Sequence, residues 1–202
     1  MSMCLGIVTL DDANIARVLK DPPLIWRVIA PDDPERYDEE RRAASGPSLF
    51  GRLFGRRAAA ETVTDDLHLA DGELVSTDLD KAWHGIHYLL TGTAWEGDPP
   101  LNFLVGGDRE VGSIDVGYGP ARVLTSAEVK QVRDALEDLS DEALRARFRP
   151  DDMMKKQIYP EIWDRDPKDD DTLGYLMENV SQLRGFLNQA TEEKRGIVDY
   201  IS

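Results

Sequence analysis

Asp78-Leu79-Asp80-Lys81-Ala82-Trp83-His84-Gly85-Ile86-His87-Tyr88-Leu89-Leu90-Thr91-Gly92 is the stretch on which the fold reading turns. Leu79, Trp83, Ile86, His87 and Leu90 recur at helical spacing, and Thr91-Gly92 gives the helix a stop. The spacing predicts an amphipathic helix over Asp78 to Leu90. Two of the chain's three histidines lie on it. At 100° per residue, Asp80, His84 and His87 share one flank beside the apolar stripe. Asp80 and His84 are four apart, and His84 and His87 three apart, so a carboxylate could orient one imidazole while the other takes a proton. The helical phase sets His87 at the border of the apolar stripe and His84 further out. His84 is therefore the better ligand contact and His87 the structural residue.

Outward from this helix the chain reads as short strands and helices. Cys4 to Leu10 is apolar and ends at Asp-Asp, a buried strand. Asp11 can cap a helix through Ile15, Val18 and Leu19, stopped by Pro22-Pro23. Phe103 to Val105, Val111 to Val116 and Ala121 to Leu124 read as strands. Thr125 and Glu128 form a capping box for a helix carrying Val129, Val132, Ala135 and Leu139. Ser140 caps a shorter helix, and Thr172 to about Lys194 shows apolar residues at helical spacing. Gly196 releases the chain into a last strand, Ile197 to Ile201. Strands and helices without a repeating βα alternation give a single α+β domain over 1–202.

Residues 31–64 differ from the rest. They open acidic, turn basic from Arg41 to Arg57, and contain Ser48-Leu-Phe-Gly-Arg-Leu-Phe-Gly-Arg-Arg57. Between a membrane-surface or anionic-ligand segment and a flexible insertion whose Leu49, Phe50, Leu53 and Phe54 tuck onto the body, the sequence favours the insertion, since two glycines weaken any amphipathic helix there.

Composition narrows the function. With 202 residues, 41% hydrophobic and 31% charged, the chain is globular. No apolar run approaches the roughly 20 residues that span a bilayer, and the start carries no basic and apolar leader. One cysteine, Cys4, excludes an internal disulfide and a cysteine zinc cage, and fits a reducing cytoplasm. A metal site on the helix would need further ligands, and only His68 and Cys4 remain, so no metal and no cofactor is expected. A net charge of -15 disfavours nucleic acid and suits a basic protein partner.

Two further constellations carry chemistry. In Val116-Gly117-Tyr118-Gly119-Pro120-Ala121-Arg122, two glycines allow unusual dihedrals and free N–H groups, Tyr118 offers a phenol, and Arg122 a cation for carboxylate or phosphate. The same residues also read as a tight turn before a strand, with Arg122 pairing an acid. In Ile158-Tyr159-Pro160-Glu161-Ile162-Trp163-Asp164, Tyr159 and Trp163 either wall a pocket or anchor a packed loop. The candidate pocket is thus Asp80, Trp83, His84, His87, Tyr118, Arg122, Tyr159 and Trp163.

These three segments together, with Met3-Cys4-Leu5-Gly6 and Tyr200-Ile201-Ser202, resemble the YfbM-like family of bacterial proteins over nearly the whole chain. That family is a domain of unknown function, so the resemblance implies a fold, a layered α/β sandwich with a mixed sheet, and no catalytic residues. The residues themselves favour a cytoplasmic binding or interaction protein with a small pocket near the 78–90 helix. One form would be an immunity-type protein recognising a basic partner. The alternative is an enzyme on a small anionic substrate, with Arg122 as anchor, a histidine as general acid or base, and Asp80 as its orienter.

Overall fold

The structure, a computed structural model, describes residues 2–44, 67–106 and 109–202. β1, Leu5–Leu10, is buried along all six residues, as a continuous apolar run inside a covered sheet should be. It lies between β2, Ser76–Asp78, and the last strand β4, Gly196–Ile201, which in turn pairs with β3, Arg122–Leu124. The order is β2-β1-β4-β3. The α+β class expected from the sequence holds, but the sheet is not mixed: all its described pairings are antiparallel. The first and last strands run against each other, Leu5 opposite Ile201 and Leu10 opposite Gly196, so no parallel crossover is made between them.

The period-2 alternation sends side chains into two cores. Leu5, Ile7, Leu124 and Ile197 point to the larger one. There they meet α4 (Trp83–Thr91), α5 (Ser126–Glu137), α6 (Asp141–Arg147), α7 (Pro150–Lys155) and α8 (Thr172–Glu192). Val8, Leu10, Val123 and Val198 point the other way, onto α1 (Asp12–Lys20) and α2 (Ile25–Ile29). The sheet is therefore the middle layer of a sandwich.

Local chemistry sets the helix ends. The Ser140 hydroxyl accepts the Ala143 N–H at 3.1 Å, and Asp171 accepts that of Gly174 at 2.8 Å. Glu128 Oε2 accepts the Thr125 N–H at 2.7 Å, the glutamate half of the expected capping box. Gly92 ends α4 in the left-handed region, φ 77°. Gly85, in mid-α4, has a packing reason: a Cβ there would stand 2.7 Å from Leu176 Cδ2 and from Trp163 Cη2. The missing side chain lets α4 close on α8 and the buried Trp163 indole.

Two expected strands are absent. Phe103–Val105 lies in turns, with the N–H groups of Val105 and Gly106 both donated to Asn102 O. Around Val111 only the isolated bridge Glu110↔Arg122 forms, and Gly112 at φ 60° turns the chain away. Of the segment 31–64, Pro34–Ala44 forms helix α3, with Arg41 paired to Asp21 at 2.7 Å. Residues 45–64, with Leu49, Phe50, Leu53 and Phe54, lie outside the described residues. No helix among the described residues is long and apolar enough to cross a membrane.

Candidate functional site

The central helix does not begin where its periodicity suggests. Asp80–Ala82 forms a 3-10 turn with Asp80 at φ 45°, and the α-helix starts only at Trp83. The 100° projection fails across that turn. Asp80 accordingly faces away from the histidines: its carboxylate accepts the Tyr175 hydroxyl at 2.8 Å and the Cys4 thiol at 3.4 Å. Partial burial works to raise its pKa, but these hydrogen bonds outweigh it and hold the carboxyl below its ordinary range. Asp80 is no orienter of an imidazole.

His84 and His87 are both fully buried. His84 Nε2 lies 2.7 Å from the Ala94 carbonyl oxygen, and its Nδ1 accepts the Tyr159 N–H at 3.0 Å. Both bonds together assign the neutral ring with the proton on Nε2. Burial pulls its pKa below the usual histidine value, against the Ala94 bond. One side chain thus pins two loops, 93–97 and 158–163, to α4. His87 Nε2 meets the Thr91 hydroxyl at 3.2 Å, while its buried Nδ1 has no partner of hydrogen-bond geometry among the described residues. Burial and the neighbouring His84 push its pKa down to about 4. The sequence expectation is reversed in part. Both rings are inside, His84 is satisfied at both nitrogens, and neither is placed for ligand contact.

Arg122 lies on the same side of the sheet as α4, but it is internal. Its Nε and Nη2 donate to Asp199 Oδ1 at 2.9 and 2.5 Å, and Nη2 also to Leu104 O at 2.8 Å. Asp199 is fully buried, which raises its pKa against the pull of Arg122. The acid opposite Arg122 in the ladder is its partner, which leaves no anchor for a substrate anion. The Gly117–Gly119 turn is also closed internally. Asp115 Oδ1 accepts the N–H of Gly117 at 2.8 Å and of Gly119 at 3.0 Å, so those donors are not free. Tyr118 stands out from this turn, exposed, with its N–H on Ile201 O.

The 158–163 loop is an anchored loop. Tyr159 accepts the Met3 N–H at 3.0 Å, Trp163 Nε1 donates to Ile158 O at 2.6 Å, and Trp83 Nε1 donates to Met3 O at 3.1 Å. Trp83 and Trp163 are core residues. Of the eight candidates, Trp163 alone borders one of the clefts at Arg109 (about 410 Å³), Arg149 (about 390 Å³) and Trp163 itself (about 490 Å³). Among the described residues no three His, Cys, Asp or Glu side chains gather as a metal would need.

What the sequence reading missed is Trp95. It is 61% exposed, yet its ring lies 4.3 Å from the His84 ring, which stacks on Trp83 at 4.9 Å. The exposed Glu96 and Asp98 flank it. The available signal was an aromatic placed among turn formers and acids, Thr93-Ala-Trp-Glu-Gly-Asp-Pro99, with no apolar partner at helical or strand spacing.

The sequence model of the family "Domain of unknown function (DUF1877)" matches residues 1–200. The chain belongs to that family. No curated protein matches it. Among solved structures, the chain is similar to YfbM from Escherichia coli, itself described as a protein of unknown function. The likeness has a TM-score of 0.62 at 17% identity and covers 98% of this chain and 99% of that one. The YfbM-like resemblance read from the three motifs is thus confirmed, and at this identity it speaks for the fold alone.

Proposed function

We propose that this chain is a cytoplasmic binding protein whose acidic surface engages a basic protein partner, with Trp95 as the anchor. An immunity-type protein that neutralises a basic effector would be one such case. The observation that supports the reading is the mounting of Trp95. A monomer does not gain stability by holding an indole 61% in water, but a hot spot needs a rigid aromatic, and His84 supplies the rigidity through Ala94. Glu96 and Asp98 beside it, in a chain of net charge -15, favour a cationic counterpart by steering and by cation–π contact.

The test is affinity capture from the native host at moderate salt, with wild type and Trp95→Ala side by side. A basic protein retained by wild type and lost from Trp95→Ala supports the proposal. Retention of the same proteins by both, or of none by wild type, overturns it.

A further inference from the structure

We propose that the cleft at the C-terminal end of α4 is a binding site for a small ligand carrying an oxyanion, a carboxylate or a phosphate, with Arg149 as its principal contact. The cleft encloses about 390 Å³ and is lined by Tyr88, Leu90, Thr91, Arg147, Arg149 and Asp152. That volume suits a metabolite-sized molecule. Its charge is out of character with the chain. Over residues 145–156, Arg145, Arg147, Arg149, Lys155 and Lys156 stand against Asp151 and Asp152, in a sequence of 24 basic and 39 acidic residues. A positive concavity on a strongly negative molecule focuses an anion onto that one place.

The two arginines on its wall do different work. Arg147 Nη1 donates at 3.0 Å to the carbonyl oxygens of both Leu89 and Leu90. It thereby covers the negative end of the α4 dipole, which would otherwise repel an anion. The Arg149 side chain makes no hydrogen bond or ion pair among the described residues and borders the cleft as an uncommitted fork. A guanidinium presents paired N–H donors that match the two oxygens of a carboxylate or phosphate. Asp152, the acid on the wall, is already neutralised. Lys156 Nζ reaches its two oxygens at 2.6 and 2.5 Å, and the Tyr88 hydroxyl donates to it at 2.6 Å. The Tyr88 ring and Leu90 give the remainder of a ligand apolar wall.

Titration calorimetry of the full chain with inorganic phosphate and with succinate, at matched ionic strength against sodium chloride, tests the site. Wild type should bind at least one of the two saturably. Arg149→Gln should weaken that binding about tenfold or more, the scale of a lost charge-assisted pair. Arg145→Gln removes the same charge outside the cleft and should stay within about twofold of wild type. Three results would overturn the site: no saturable heat from either anion with wild type, unchanged affinity in Arg149→Gln, or an equal loss in Arg145→Gln. The last would reduce the effect to overall charge.

Discussion

Trp95 and His84 face each other ring to ring, centroids 4.3 Å apart, although the indole is 61% exposed and the imidazole is fully buried. The inner ring holds the outer one, because His84 Nε2 bonds Ala94 O, one residue before Trp95. Under the proposed partner role, stability rests with His84 and surface contact with Trp95. Trp95→Ala should shift unfolding free energy by no more than about 1 kcal/mol, since an exposed loop ring contributes little. His84→Ala should cost about 3 kcal/mol or more, because it opens a cavity and leaves the Tyr159 N–H and Ala94 carbonyl without their partner. Urea unfolding of both variants decides it, and equal costs would refute the split.

The two buried imidazoles make the fold acid-sensitive at an unusually high pH. Both folded pKa values lie below the ordinary 6.5, His87 at about 4. Above about pH 6.5 the rings are neutral folded or unfolded, and they add no pH dependence. As pH falls below that, the unfolded chain takes up protons that the folded chain refuses. Stability should then drop by roughly 1.4 kcal/mol per pH unit for each histidine. For His87 the loss continues until its folded pKa is reached. The carboxylates held below their ordinary range, such as Asp80 and Glu128, add their own loss only below about pH 5. The slope of urea-derived stability between about pH 6.5 and 5 should flatten in His87→Gln by up to about 1.4 kcal/mol per pH unit. An unchanged slope would mean that His87 does not refuse the proton.

Much of this architecture is visible in the residues, and the misreadings have local causes. β1 and β4 are legible because each is an apolar run between clear terminators, and Ser140 and Thr125 mark helix starts by their side-chain chemistry. β2 is not legible: Ser76–Asp78 is a short polar edge strand, and its pairing with Gly6–Val8 is a tertiary fact. Phe103–Val105 shows the converse, an apolar run whose burial comes from turns packed against the core. At the site, the histidines were found but their setting was not. Helical projection places Asp80 beside His84 only if residues 80–84 are α-helical, and a 3-10 turn at Asp80 breaks that condition. Whether a histidine is satisfied by Ala94 and Tyr159, both remote in sequence, depends on loop closure that no periodicity reports.

Arg122 and Asp199 form a buried pair whose members should fail separately and recover together. Asp199 is fully buried, and its Oδ2 has no hydrogen-bond partner among the described residues, so its tolerance of burial rests on Arg122. Arg122→Met leaves that carboxyl unpaired and should cost about 3–5 kcal/mol. Adding Asp199→Leu should return most of the loss, because a well-packed apolar pair of similar volume costs little or nothing relative to a buried ion pair. A double variant no better than Arg122→Met in chemical denaturation would show that the pair serves something other than mutual neutralisation.

Gly85 and Gly185 offer the same substitution in opposite environments. Both sit in helix interiors, where alanine is favoured over glycine by roughly 0.5–1 kcal/mol. At Gly185, exposed on α8, an added Cβ meets nothing within 4 Å. Gly185→Ala should therefore stabilise by about that amount. At Gly85 the added atom would stand 2.7 Å from Leu176 Cδ2 and from the Trp163 ring, which is 1% exposed and held by its bond to Ile158 O. Leu176 is fully buried as well, so neither neighbour can yield without moving the core. The overpacking cost of about 1–3 kcal/mol should outweigh the propensity gain, leaving Gly85→Ala net destabilised. Opposite signs for the two variants in thermal or urea unfolding are the expected result. Stabilisation by both would mean that α4 does not need the close approach to Trp163 that places His84 between its two loops.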